Sequence, residues 1–179
     1  MLAYEENPEK VERADLVVGL PSHKQGKNIA HPAAQAAKGL LDYFGDKNSV
    51  IINCDSHSED GTKEAFLRTA SEIPKIYLST PPETTGRGYN LRNLIDKAIQ
   101  LQSQAVIVVD ADLQSITSHW IKNLGEPIFA GFGFVAPLYV PLVISLGYNP
   151  IWYGVLYTIT CQIAYMTPPF GYNLFLMKA

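Results

Sequence analysis

The chain has 179 residues, enough for one domain of ordinary size with a sizeable core. A formal net charge of −3 and a pI near 5.8 exclude a general nucleic-acid binder, which carries a basic face. Two cysteines, Cys54 and Cys161, are too few for a disulfide framework or a Cys-rich zinc site, and the opening MLAYEENPEK has no apolar h-region, so no cleaved secretory signal is expected.

The averages conceal a partition. All but one of the Lys, Arg, Asp and Glu residues lie between Glu5 and Glu126, and the stretch from Pro127 to Met177 has none. The chain therefore reads as two segments built for different solvents.

The first segment alternates strands and helices. Asp15–Leu20 is a short apolar run ending at Pro21, the pattern of a strand buried on both faces. Asn28 is placed to cap an alanine-rich helix to about Phe44. Ser49–Cys54 is a second buried strand, and Asp60 or Thr62 starts a helix through Ala65, Phe66 and Ala70. Lys75–Ser79 is a weaker strand. Tyr89–Leu101 sets Leu91, Leu94, Ile95, Ala98 and Ile99 on one helical face. Ala105–Val109 is the clearest strand, and another helix begins near Thr117. Strand and helix alternating at this spacing predict an α/β fold with a mostly parallel, Rossmann-like sheet.

In such sheets ligands bind beyond the carboxyl ends of the strands, and there the polar loops gather. They are Pro21-Ser22-His23-Lys24, the run from Asp55 to Thr62, Gly86-Arg87-Gly88, and Asp110-Ala111-Asp112. The alternate carboxylates Asp110 and Asp112 are hard oxygen ligands suited to Mg²⁺ or Mn²⁺ carried with a diphosphate; the same residues also serve as loop caps for the helix near Thr117. Asp55 at a strand tip either accepts hydrogen bonds from a nucleobase or ribose or solvates its loop. Asp60-Gly61-Thr62 is a turn and helix start. Gly86-Arg87-Gly88 permits close backbone approach beside a phosphate-pairing cation, but neither GxxxxGK nor GxGxxG is present. His23, His31, His57 and His119 have no zinc-ligand spacing, no GxSxG or Cys–His pair is evident, and Cys54 reads as a small core residue.

The stretches ADLVVGLPSHKQGKNI, VIINCDSHSEDGT, TGRGYNLRNLIDKA, AVIVVDADLQSITSHWI and FVAPLY succeed one another in order. Over residues 14 to about 139 they resemble the nucleotide-binding half of a family 2 type GT-A glycosyltransferase, close to glucosyl-3-phosphoglycerate and mannosylglycerate synthases. The resemblance implies a nucleoside-diphosphate sugar as ligand. It sets Pro21 and Ser22 against the nucleoside, Asp55 on the base, and Gly86, Arg87 and Gly88 over the diphosphate and sugar. Asp110 would face ribose or metal-bound water, and Asp112 would bind Mg²⁺ or Mn²⁺. Gly-Arg-Gly stands where many relatives have Gly-Lys-Gly. Such enzymes continue into an acceptor-binding, catalytic half; here Val140-Pro141-Leu142-Val143 stands instead, and no acid or base occurs after Glu126 until Lys178. Hexosyl transfer is therefore expected to be absent or very slow, and no catalytic residue is assigned.

The second segment is apolar and interrupted. Ile128–Leu146 contains Gly131, Gly133, Pro137 and Pro141; Asn149 and Pro150 are placed to start a charge-free helix over Ile151–Met166; Pro168, Pro169 and Gly171 interrupt the next apolar stretch. Taken alone, that helix is too short for a full span and also fits the core of a water-soluble domain. Broken apolar helices are a feature of transporters, where irregular backbone lines a cavity. LGYNPIWYGVL and MTPPFGYNLF resemble the large permease subunit of TRAP (tripartite ATP-independent periplasmic) transporters. The reading is thus a chimera of two pieces: a nucleotide-sugar-binding domain over residues 1–139, expected in the cytoplasm, and a permease-like helical segment over 140–179 that associates with the membrane.

Overall fold

The computed structural model describes residues 2–84 and 86–130. The chain divides into units 1–131 and 132–179, and the described residues belong to the first. Strands β1 (Tyr4–Glu6), β2 (Leu16–Ser22), β3 (Ser49–Asp55), β4 (Lys75–Ser79) and β5 (Ala105–Val108) form one sheet in the order β1-β4-β3-β2-β5. The last four are parallel; β1 runs antiparallel along β4, with Tyr4 opposite Ser79 and Glu6 opposite Tyr77. The fold is α/β with a mostly parallel mixed sheet, consistent with a Rossmann-like arrangement.

Helices α1 (Ala30–Tyr43), α2 (Thr62–Arg68), α3 (Arg87–Gln100) and α4 (Ser118–Phe129) follow successive strands. Every residue of β2 and β3 is buried because both faces of the sheet are covered, which is why these strands read as continuous apolar runs. On one face Leu16, Val18, Leu20 and Ile51 pack with Ala33, Ala36 and Leu40 of α1, Phe66 of α2 and Ile121 of α4. On the other, Val17, Val50, Ile52 and Cys54 meet Leu94 and Ala98 of α3. Gly19 allows that second contact: a Cβ there would lie 2.1 Å from a Leu94 methyl.

Several expectations need correcting. Asn28 does not cap α1: the cap position is Ile29, without a side-chain hydrogen bond, and Asn28 Nδ2 instead donates to Gln25 Oε1 at 2.8 Å. The Asn28 and Ile29 backbone N–H groups both donate to the Gln25 carbonyl, so the helix is entered from a preceding turn. The buried residues of α3 are Asn90, Asn93, Leu94 and Ala98, followed by Leu101 at its C-cap, whereas Ile95 and Ile99 are 51% and 69% exposed. A lone helix on its face of the sheet buries a narrow band, and here that band begins with an asparagine rather than Leu91.

Strand β1 has no counterpart among the expected elements, since Tyr-Glu-Glu has no apolar run. It is held by side chains reaching up from both helical layers: Lys63 of α2 pairs with Glu6 at 2.6 Å, and Lys97 of α3 pairs with Glu5. Lys75 is buried at the start of β4, where Nζ donates to the Leu67 and Thr69 carbonyls at 2.6 and 2.5 Å, closing the C-terminal end of α2. Burial holds its pKa below the usual lysine range. Among the described residues, no helix is long and apolar enough to cross a membrane. The breaks from Gly131 to Pro141, the start at Asn149 and Pro150, the Ile151–Met166 helix, Cys161 and the breaks at Pro168, Pro169 and Gly171 lie outside the described residues.

Candidate functional site

At the carboxyl ends of β2, β3 and β5 lies a cleft of about 430 Å³, lined by Pro21, Ser22, His23, Gln25, Ser56, Gly86, Arg87, Asn90, Asp110, Ala111 and Asp112. It is the edge at which parallel sheets take their ligands. Of the residues selected from the sequence, Pro21, Ser22, Gly86, Arg87, Asp110 and Asp112 come together here. Asp55 and Gly88 do not line it.

Asp55 is fully buried and occupied. Its carboxylate accepts from Ser22 Oγ at 2.7 Å, the Ser58 backbone N–H at 2.6 Å, Ser58 Oγ at 2.8 Å and Tyr77 OH at 3.1 Å. Two oxygens have about four lone-pair sites, so this set leaves no acceptor for a base. Burial, reinforced by the Asp55 charge, pushes the Tyr77 hydroxyl well above the ordinary tyrosine range and keeps it a donor. Asp55 thus holds the cleft's walls in place. Beside it Cys54 is buried and unbridged, its thiol pushed up by burial and then by the Asp55 charge, as an inert core residue should be.

Ser22 joins three elements. Its hydroxyl donates to Asp55 and accepts from Asn53 Nδ2 at 2.8 Å, while its carbonyl accepts from the Ser56 N–H at 3.0 Å and from Asn90 Nδ2 at 2.9 Å. Ser56 Oγ in turn accepts from the Gly86 N–H at 3.3 Å. Gly86 precedes α3 at φ 129°, a conformation that strains residues with a Cβ. The helix has no side-chain cap and no acidic residue in its first turn, which leaves its dipole end open towards an anion.

The loop after β2 is tied down by the Asp60-Gly61-Thr62 turn. Gly26 N–H donates to Asp60 Oδ2 at 3.0 Å, Gln25 N–H to Thr62 Oγ1 at 2.9 Å, and Lys24 N–H to Ser58 Oγ at 2.7 Å. Burial works against ionisation of Asp60, but bonds from Thr62 and the Gly26 backbone outweigh it and lower its pKa. Helix α2 begins at Thr62, as expected; its cap position is Gly61 at φ 84°, and the Thr62 N–H donates to Asp60 Oδ1 at 3.2 Å.

Arg87 Nη2 lies 2.6 Å from Asp110 Oδ1, a bridge between α3 and the end of β5. Both side chains are about half exposed or more, so the pair is worth little in water and opens readily to a competing anion or cation. Asp112 is exposed. Among the described residues no three His, Cys, Asp or Glu side chains gather as a metal cluster. Asp110, paired with Arg87, and the exposed Asp112 are the carboxylates at this edge of the cleft.

Asn90 escaped the sequence reading. Its signal was there: a polar residue at the head of the otherwise apolar stripe 90, 94, 98 and 101.

The family profile described as Tripartite ATP-independent periplasmic transporter, DctM component, matches residues 125–179, under a third of the chain. The chain is 46% identical over 41 residues to the C4-dicarboxylate TRAP transporter large permease protein DctM of Vibrio cholerae, covering 23% of this chain and 9% of that protein. The protein of the same name from Pseudomonas aeruginosa is 38% identical over 45 residues, 25% and 10% of the two chains. The chain thus spans at most a tenth of these relatives. No solved structure matches it. These matches carry the permease resemblance of the tail and not the glycosyltransferase resemblance of residues 14–139. The family match begins within α4, whose Gly125 packs so tightly on Phe44 that a Cβ would lie 2.6 Å from the ring.

Proposed function

We propose that this chain joins an α/β passenger to a membrane-seated segment of the TRAP permease type. The observation that carries this reading is the family match over residues 125–179, together with the absence of charge from Pro127 to Met177. In this reading residues 125–179 seat the chain in the membrane. Cell fractionation tests it: the full chain is expected in the membrane pellet, released by detergent and not by high salt. Release by salt alone would contradict it.

A second reading concerns the passenger, and the cleft favours it. Its ligand would be a nucleoside-diphosphate sugar held with Mg²⁺ or Mn²⁺. The nucleoside would lie against Pro21 and Ser22, the diphosphate at the open end of α3 beside Gly86 and Arg87, and the cation between the phosphates and Asp112, with Asp110 free to join once Arg87 turns to phosphate. The cation would neutralise charge on the diphosphate. Asp55 acts from behind the cleft wall in this reading, not on the ligand, and the exposed Gly88 is given no role. Turnover needs an ordered acceptor and a base near its hydroxyl. Residues 127–177 contain no carboxylate, histidine, lysine or arginine to serve as that base, so the reading proposed for the passenger is one of binding. Calorimetric titration with UDP- and GDP-sugars, with and without Mn²⁺, tests this. Metal-dependent binding is expected, and failure of both sugars to bind would remove the reading.

A further inference from the structure

We infer that Asn90 reads the base in this cleft, its Oδ1 accepting a hydrogen bond from the ring N–H of a uracil or guanine. The inference rests on the nucleotide reading of the same cleft and extends it to base selection. Among the described residues, four buried side-chain oxygens have no hydrogen-bond partner: Asn53 Oδ1, Thr80 Oγ1, Asn90 Oδ1 and Ser103 Oγ. Of their residues, Asn90 is the one that lines the cleft. It is 2% exposed, so its oxygen bears the desolvation cost of an unmade bond.

The orientation of the amide is determined by its other end. Nδ2 lies 2.9 Å from the Ser22 carbonyl, which can only accept, so the remaining group is an acceptor. Asp55 accepts four bonds and Ser22 Oγ is paired with Asp55 and Asn53, so neither has an acceptor for a base; Ser56 Oγ accepts from the Gly86 N–H and keeps its own proton as a donor. An unfilled acceptor selects a donor. Uracil and guanine present a ring N–H in the middle of the pairing edge; cytosine and adenine have a bare ring nitrogen at that position, acceptor to acceptor with Oδ1, and could reach it only with the exocyclic amino group, by a shift of the base along the cleft. Arg87 stands one turn before Asn90 on α3, and its bridge to Asp110 joins the two sides of the cleft.

The test uses the full 179-residue chain in mild detergent with Mn²⁺. Calorimetry would compare UDP, GDP, CDP, ADP, the ring-N-methylated forms of UDP and GDP, and inorganic diphosphate. Wild type should bind UDP or GDP at least about tenfold more tightly than CDP, ADP and the matching methylated analogue. In Asn90→Ala that discrimination should shrink to within about twofold, with affinity for inorganic diphosphate unchanged. Discrimination that persists in Asn90→Ala overturns the proposal while leaving the nucleotide reading intact. So does equal wild-type affinity for a nucleotide and its methylated form, a measurement that stands even if Asn90→Ala fails to fold. Binding of none of the nucleotides by wild type removes the nucleotide reading, and the role of Asn90 with it.

Discussion

Residues 2–126 and the stretch from Pro127 to Met177 differ in the charge their sequences carry. In the first, apolar strands are enclosed between helices whose outer faces carry charge, as in the pairs Arg92–Asp96 and Lys122–Glu126. In the second no charge is available to place on any face. Overall composition averages the two into an ordinary-looking chain. The contrast teaches that the distribution of charge along a sequence, more than its total, states which solvent each piece was built to meet.

The comparison is broken most directly by cutting the chain. Full-length protein should pellet with membranes, and a version ending at Gly131 should remain in the supernatant after centrifugation. Ending at Pro127 instead would remove Ile128 and Phe129, which pack on the core, the Phe129 ring 5.8 Å from that of Phe44, and should lower the melting temperature. A full-length chain that is monomeric without detergent would show the tail packing as core and erase the distinction between the two regions.

Within the charged region, the buried polar knot can be tested next. Asp55→Ala leaves Ser22, Ser58 and Tyr77 without their common acceptor, and hydrogen bonds to charged groups contribute more than neutral ones. We expect a loss of about 3 kcal/mol in denaturant unfolding. A loss below about 1 kcal/mol would return Asp55 to the surface role that its loop position first suggested.

The cleft offers a smaller effect. Asp112→Asn should weaken Mn²⁺-dependent binding of a nucleoside diphosphate about tenfold, roughly 1.4 kcal/mol, because diphosphate and carboxylate repel unless a cation lies between them. Equal affinity in the two proteins, measured by calorimetry, would take Asp112 out of the site.

The smallest effect lies at β1. Hydrogen bonds from Lys63 and then Tyr4 hold the Glu6 carboxyl below its ordinary value of 4.5, while Glu6 and then Tyr4 raise Lys63 above 10.5. The Glu6 contribution is present above pH 4.5 and lost as pH falls through its lowered folded value. That of Lys63 is present below 10.5 and lost as pH rises through its raised one. Both side chains are about 30% exposed, so the pair should contribute under about 1 kcal/mol. Thermal melts of Glu6→Gln should therefore fall slightly below wild type at neutral pH and converge with it in acid.

Much of the fold was legible in the sequence because its causes are local. Non-alternating runs such as Ser49–Cys54 result from burial on both faces, and loop residues such as Ser22, Arg87 and Asp110 stand at strand or helix ends wherever the sheet is parallel. The positions of the charges likewise suggest a division near Pro127, and the chain divides into its two units at 131/132. What tertiary structure decided depends on partners distant in sequence. Strand β1 exists through Lys63, Lys97 and the open edge of β4, none of which is visible in Tyr-Glu-Glu. Asp55 became a buried anchor because Ser22 and Tyr77, 33 and 22 residues away, arrive as donors. Asn90 entered the cleft because the Ser22 carbonyl, 68 residues away, turns its amide and leaves one oxygen unpaired. Periodicity reports which face a residue occupies; which hydrogen bonds remain to be made there is settled only when the strands and helices meet.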